Sequence, residues 1–280
     1  ILSFFINRKQ HKKSLSSVKV RAILVVLMMI PLFACSGMDT EHKLCDLKVL
    51  SLLIPKQTEL SVTYGSKEMM QHLQRSQIQL DEALKVLDKK YAGQKGIDEL
   101  LNDGQRLHSN TDFILKSQQI IHQLYDFKLQ LSETIPQIQA EYNLLTDEMS
   151  QRDYPATQLI IAKNQVFIAE RILRSMHYLS AMNDFHVNHL DDYSADLETF
   201  NTYLDAQLNG SKELGVKRID EAALREGLLS IQADSESIKQ SALTIQKERD
   251  TLIQVFKHAR DNQHISEQMF GRLNQLESNQ

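Results

Sequence analysis

His186 and His189 stand three residues apart in DFHVNHLDD, with Asp184, Asp191 and Asp192 beside them. On a helix, two imidazoles at that spacing share a face and could hold one metal ion. The segment NDFHVN, however, has the composition of a turn, where polar side chains gather whether or not they bind anything. No metal site is expected there. A carboxylate di-metal centre in a helical bundle needs Glu-x-x-His pairs from two helices, and the sequence contains none. It also lacks a glycine-rich phosphate loop and a nucleophile elbow. Neither catalysis nor a cofactor is expected.

Four cations suggest binding rather than catalysis. Lys48, Lys56, Arg171 and Arg174 fall at corresponding places in two related halves of the chain, on segments whose other faces are apolar. Facing inward, they could hold a small anionic or polar ligand. Long basic side chains also run from a core face out to water with no ligand at all. Arg171 and Arg174 lie one turn apart, beside the stripe Ile168, Ile172 and Met176. A guanidinium there must be paired or reach water. The adjacent Glu170 points elsewhere, so the partner must come from another helix or from a ligand. The expectation is a partly buried structural ion pair at Arg171 and an exposed Arg174.

A thiol supplies a third kind of chemistry. The apolar run from Ala22 to Cys35 spans 14 residues and is interrupted by Pro31. A spanning helix needs roughly 20 residues, a signal-peptide core about 7 to 15. Before the run lie Arg8, Lys9, Lys12, Lys13, Lys19 and Arg21, with no acidic residue among them. The end of the run, LFACSG, resembles a bacterial lipobox, with a small residue before Cys35 and small, flexible ones after it. That resemblance implies residues 1–34 as a lipoprotein signal peptide and Cys35 as an acylated N-terminus holding the chain to a membrane. Residues 35–45 would form a tether. Ser36 after the cysteine implies outer-membrane sorting by analogy with enterobacteria, in an envelope location facing the periplasm.

Removing residues 1–34 leaves 26 basic against 36 acidic residues, a net charge of about −10. An acidic domain repels phosphate backbones, which argues against a nucleic-acid partner. Of the two cysteines, only Cys45 would keep its thiol, and one thiol makes no internal disulfide.

These residues must be positioned by helices. Trp is absent, and Gly and Pro are scarce at 9 and 4 of 280 residues. Leu224, Ile231, Ile238, Ile245 and Leu252 recur every seven residues. Ile120, Leu124, Phe127, Leu131 and Ile135 follow a four-three-four-four spacing. Both are apolar stripes of long helices that must bury against other helices. Breakers divide the chain at TYGS (63–66), KYAGQKG (90–96), RDYP (152–155), NDFHVN (183–188) and NGSKELGVKR (209–218). The expected helices run to about residue 64 with a kink at Pro55, then over about 66–87, 97–152 with a kink at Pro136, 155–182, 190–208 and 219–270.

The order suggests a duplication. SQIQLDEALKVL (76–87) parallels YSADLETFNTYL (193–204), and KGIDELLNDG (95–104) parallels KRIDEAALREG (217–227). The expected fold is therefore all-α and elongated. Two similar antiparallel helical-bundle modules, over 46–135 and 136–280, stack end to end through a long kinked helix.

One stretch is more specific. ETIPQIQAEYNLLTDEM (133–149), followed by AKNQVFIAERILRSMHYL (162–179), resembles the N-terminal region of type IV pilus methyl-accepting chemotaxis transducers of the PilJ type. That family carries a similar ETIPQLQAEY and then a helix with LAERI-R. DLKVLSLLIPK (46–56) resembles the LR-LSQRIAK that opens its first copy, with Leu53 and Pro55 as departures. The resemblance implies a non-enzymatic sensory or ligand-binding module of the cell envelope. The partners it implies are a receptor or pilus-associated protein and a second copy of the chain. Its transducers continue into a second membrane helix and a signalling coil, which this sequence does not contain. A related nitrate-sensing helical domain holds its anion with a first-helix arginine. Lys48 is the nearest match here, and it offers a point charge rather than a fork, so nitrate specificity does not transfer. The alternatives are a helical spacer lipoprotein and the N-terminal part of a full transmembrane chemoreceptor.

Overall fold

A computed structural model of the chain describes residues 39–178 and 187–278. Eight helices account for nearly all of them: α1 (Asp39–Tyr64), α2 (Lys67–Tyr91), α3 (Ile97–Lys116), α4 (Gln118–Gln151), α5 (Ala156–Tyr178), α6 (Val187–Asn209), α7 (Ala222–Lys247) and α8 (Arg249–Ser278). The fold is all-α, and an isolated bridge between Ser211 and Val216 is the sole strand-like pairing among the described residues. Every residue of the two apolar stripes is buried. Cys35 and His186 lie outside the described residues.

The helices pack in two rings. α1 lies on α2, α2 on α3, α3 on α8, and α8 returns to α1; α4 lies on α5, α5 on α6, α6 on α7, and α7 returns to α4. The rings touch little away from the points where the chain crosses between them. Their buried apolar side chains nevertheless form one contiguous cluster. Sequence order groups α8 with the second half of the chain, but packing sets it against α1 and α3. The boundary expected at residue 136 falls inside α4. A stripe reports that a helix face must be buried, not which neighbour will cover it. Lys48 near the start of α1 pairs with Glu277 near the end of α8, so these two ends lie side by side.

Two helices that read as continuous are each interrupted once. α3 gives way to α4 at Ser117 (φ −89°, ψ 9°), and α7 to α8 at Glu248 (φ −100°, ψ 16°). Neither break has a glycine or proline. At the first, the Ser117 hydroxyl donates to the Phe113 carbonyl at 2.8 Å, a local bond that competes with the helix ladder. Pro136, by contrast, lies within α4 without ending it. It is exposed, as is Ser132, whose carbonyl loses its helical donor there and can be hydrated instead.

Gly65 closes the α1–α2 turn at φ +58°. An added Cβ would meet Tyr125 Cβ at 2.9 Å and the His122 and Ile121 backbone at 3.1 Å. The turn thus rests directly on the first turns of α4, and only glycine satisfies both the dihedral and the space.

Candidate functional site

In the second ring, a four-residue stretch of α4 reaches all three other helices. Gln139 Nε2 donates to the Val166 carbonyl of α5 at 3.2 Å. Glu141 accepts from the Ser230 hydroxyl of α7 at 3.4 Å. Tyr142 is fully buried; its hydroxyl donates to Gln207 Oε1 of α6 at 3.0 Å and accepts from Gln165 Nε2 of α5 at 3.2 Å. Gln165 Nε2 also donates to the Phe200 carbonyl at 2.8 Å, while the Tyr142 and Phe200 rings meet edge to face at 5.8 Å. These residues form a buried polar node at the centre of the ring. Burial holds the Tyr142 phenol far above its usual pKa against the opposing pull of the Gln165 hydrogen bond, so it stays protonated and keeps its donor. Of these, Gln139, Glu141 and Tyr142 belong to the ETIPQIQAEY stretch, whose Ile135 and Ile138 are buried in the core.

Burial also raises the Glu141 pKa; the Ser230 hydrogen bond opposes the shift, and the Asp234 carboxylate adds to it. A raised folded-state pKa means that the native state holds the proton more tightly than the unfolded chain does. Protonation therefore favours the fold as pH falls through the folded value, and ionisation costs stability above it. Glu141→Gln is expected to raise the melting temperature at pH 7.5 and to flatten its dependence on pH between the unfolded and folded values. Thermal melts across that range check this; an unchanged slope would show that Glu141 is well solvated.

The packing of the second ring is loosest between α6 and α7, where a groove of about 800 Å³ opens. Tyr193, Leu197 and Ala242 supply apolar lining, and Glu198, Asp205 and Lys239 are among its charged residues. Gln246 reaches across to the Ser194 hydroxyl, and Ser235 donates to Asn201 Oδ1 at 2.7 Å. The loop at 210–216 contributes Glu213 and Leu214. Gly210 (φ +83°) and Gly215 (φ +67°) turn that loop, and Ser211 and Val216 close it with paired backbone bonds of 2.8 and 2.9 Å. Arg225 secures its base by donating to the Leu208 and Ile219 carbonyls. The sequence marked this segment only as a loop.

The four sequence-selected cations line no part of this groove, and they do not converge. Lys48 pairs with Glu277, and Lys56 with Glu59 one turn along α1 at 2.7 Å. Arg171 on α5 pairs with Asp196 of α6, while Arg174 is exposed. Arg171 therefore finds its partner on another helix. In that pair the carboxylate is the buried member, 7 % exposed against 63 % for the guanidinium. Burial pushes the Asp196 pKa up, and Arg171 pulls against it. Cys45 is half-buried and forms no disulfide among the described residues. His189 falls in the first turn of α6, and no group of three or more His, Cys, Asp or Glu suited to a metal occurs among the described residues. No described helix is long and apolar enough to cross a membrane.

Comparison with known proteins bears on the α4 stretch. No family model matches the chain. It is 26 % identical over 240 residues to methyl-accepting chemotaxis AlkN of Alcanivorax borkumensis, covering 83 % of this chain and 35 % of that protein. It is 28 % identical over 162 residues to Protein PilJ of Pseudomonas aeruginosa, covering 58 % of this chain and 24 % of that protein. The chain thus spans about a third of the first relative and a quarter of the second. With the ETIPQIQAEY stretch knitting four helices together, this similarity makes the chain a relative of the PilJ-type chemotaxis transducers over part of their length.

Proposed function

We propose that this chain is the sensing region of a PilJ-type chemotaxis transducer system, non-enzymatic and facing the periplasm, with the α6–α7 groove receiving the signal. The observation that carries this reading is the pair of near-continuous helices that cross between the rings. Single residues, Ser117 and Glu248, separate α3 from α4 and α7 from α8. Opening the groove displaces α7, and α7 leads straight into α8. α8 lies on α1, and its end sits beside the start of α1. A change at the groove is thereby converted into a shift of α8 against α1, through small movements of packed helices. Such a shift needs a second protein or a further segment to read it.

The tether belongs to the same proposal. Acylated Cys35 would hold the region at the membrane four residues before α1 begins. Labelled fatty acid should enter the wild-type chain and not Cys35→Ser; equal labelling of the two removes this part of the reading.

Coupling can be tested without knowing the ligand. Thr202, an exposed wall residue of the groove, is replaced by Trp to wedge the walls apart. Spin labels on exposed Lys56→Cys of α1 and Gln263→Cys of α8, in a background lacking Cys35 and Cys45, report the distance in the other ring. A shift of about 1–2 Å is expected, the size of helix displacements in switching transitions. An unmoved distance would mean that the rings are uncoupled and the region is a helical spacer.

A further inference from the structure

We propose that His258 is a proton-operated joint between the two rings: protonating its imidazole undoes its packing on Phe113 and loosens the break between α3 and α4. The joint works whether or not a ligand occupies the α6–α7 groove. His258 lies early in α8, half-buried, with its ring 4.9 Å from the Phe113 ring of α3 at a tilt of 53°. Phe113 is the residue whose carbonyl the break engages. It accepts from the Ser117 amide at 3.0 Å and from the Ser117 hydroxyl at 2.8 Å. The imidazole therefore rests on the side chain that anchors the crossing from the first ring to the second.

His258 Nδ1 is buried and has no hydrogen-bond partner among the described residues. A neutral ring tolerates this, because Nδ1 stays an acceptor while Nε2 keeps the proton. An imidazolium carries a proton on both nitrogens, and the one on Nδ1 would be a buried charged donor with nothing to receive it. The helices packed on α8 offer no remedy. On α3, the charged neighbours of Phe113 are Asp112 and Lys116, paired with each other at 2.6 Å, and Arg106 lies 3.5 Å from Asp103. On α1, Lys56 and Glu59 pair with each other at 2.7 Å. On α8 itself, Asp261 and Lys257 act on the ring with opposite signs. Burial outweighs both and lowers the His258 pKa; Asp261 pulls it back up and Lys257 pushes it further down. The native state thus binds the proton more weakly than the unfolded chain does. The contact is at full strength above about pH 6.5, the unperturbed histidine value, and weakens as pH falls from there towards the folded value.

The imidazole C–H signals of 13C-histidine-labelled chain, with His258 assigned from their loss in His258→Gln, measure the titration directly. The His258 midpoint should lie below about 6.5, and the Phe113 ring signals should move with the same midpoint. Amide exchange at residues 117–121, corrected for the intrinsic rate, measures the loosening. Protection there should fall between pH 7.5 and 5.5 in the wild type, by up to about tenfold, the limit for one proton at about one unit below the unperturbed value. The fall should be absent in His258→Gln. Phe113→Leu, which keeps an apolar body but no ring, should bring the His258 midpoint back towards 6.5 while the chain keeps its helical circular dichroism. A wild-type midpoint at or above 6.5 would mean that the Phe113 face holds the imidazolium, and it overturns the inference. A lowered midpoint with the same loss of protection in wild type and His258→Gln overturns it as well, since His258 would then titrate without moving the joint.

Discussion

Arg272→Ala is expected to lower the unfolding free energy by about 3 kcal/mol or more, the cost of stranding a buried carboxylate. Asp103 of α3 is 3 % exposed at its side chain and accepts from Arg272 of α8. The same guanidinium donates to the Glu99 carbonyl at 3.1 Å, so one side chain serves two acceptors on α3. Arg106 lies 3.5 Å from the other carboxylate oxygen, but it is half exposed and approaches from the solvent side. Removing Arg272 therefore leaves Asp103 with its weaker partner. Adding Asp103→Leu to Arg272→Ala should recover most of the loss, because an apolar side chain needs no compensation there. Urea unfolding of the single and double variants measures both effects. A loss below about 1 kcal/mol for Arg272→Ala would mean that α8 is held to α3 by its apolar stripe alone.

The second large effect belongs to Tyr142. Tyr142→Ala is expected to cost about 3–5 kcal/mol, as for a fully buried aromatic side chain truncated in a packed core. Tyr142→Phe keeps the ring and its edge contact with Phe200 but deprives Gln207 Oε1 of its donor. That unpaired oxygen should cost about 1–3 kcal/mol. The ratio of the two losses separates packing from hydrogen bonding at the centre of the second ring. Equal losses would show that the polar node, not the ring, holds α4 to α5 and α6.

The sequence legibly carried the helices and most of their ends, because apolar periodicity and glycine-rich breakers are local signals. The heptad row from Leu224 to Leu252 is buried throughout, as its spacing requires. The breaks at Ser117 and Glu248 left no such trace. They lie where the chain passes from one ring to the other, and what bends it there is a change of neighbours. The partner of α8 was hidden for the same reason. Buried polar residues were missed because a residue such as Asn262 interrupts an apolar stripe without announcing a partner. It donates to Thr58 and Thr111, each at 3.3 Å, from helices far away in sequence. The four selected cations were chosen by analogy between two halves of the chain. Each meets its own local environment, so the analogy did not bring them together. The groove arises from loose packing between two helices and a fixed loop, and no residue pattern encodes looseness.

The closure of the first ring by α8 has a consequence for how the chain is made. Lys48 meets Glu277 across 229 residues of sequence, and Thr58 meets Asn262 across 204. At a synthesis rate of about 5–20 residues per second, α1–α3 wait roughly ten seconds or longer for the helix that covers them. α4–α7 are contiguous and can close as they emerge, so the later-made ring is the first to be complete. Until then the apolar faces of α1–α3 stand open to chaperones or to one another. After folding, fraying at the paired outer ends of α1 and α8 opens this same ring. Amide protons of α4–α7 should therefore exchange last, and the polar node around Tyr142 should outlive every ion pair between α1 and α8.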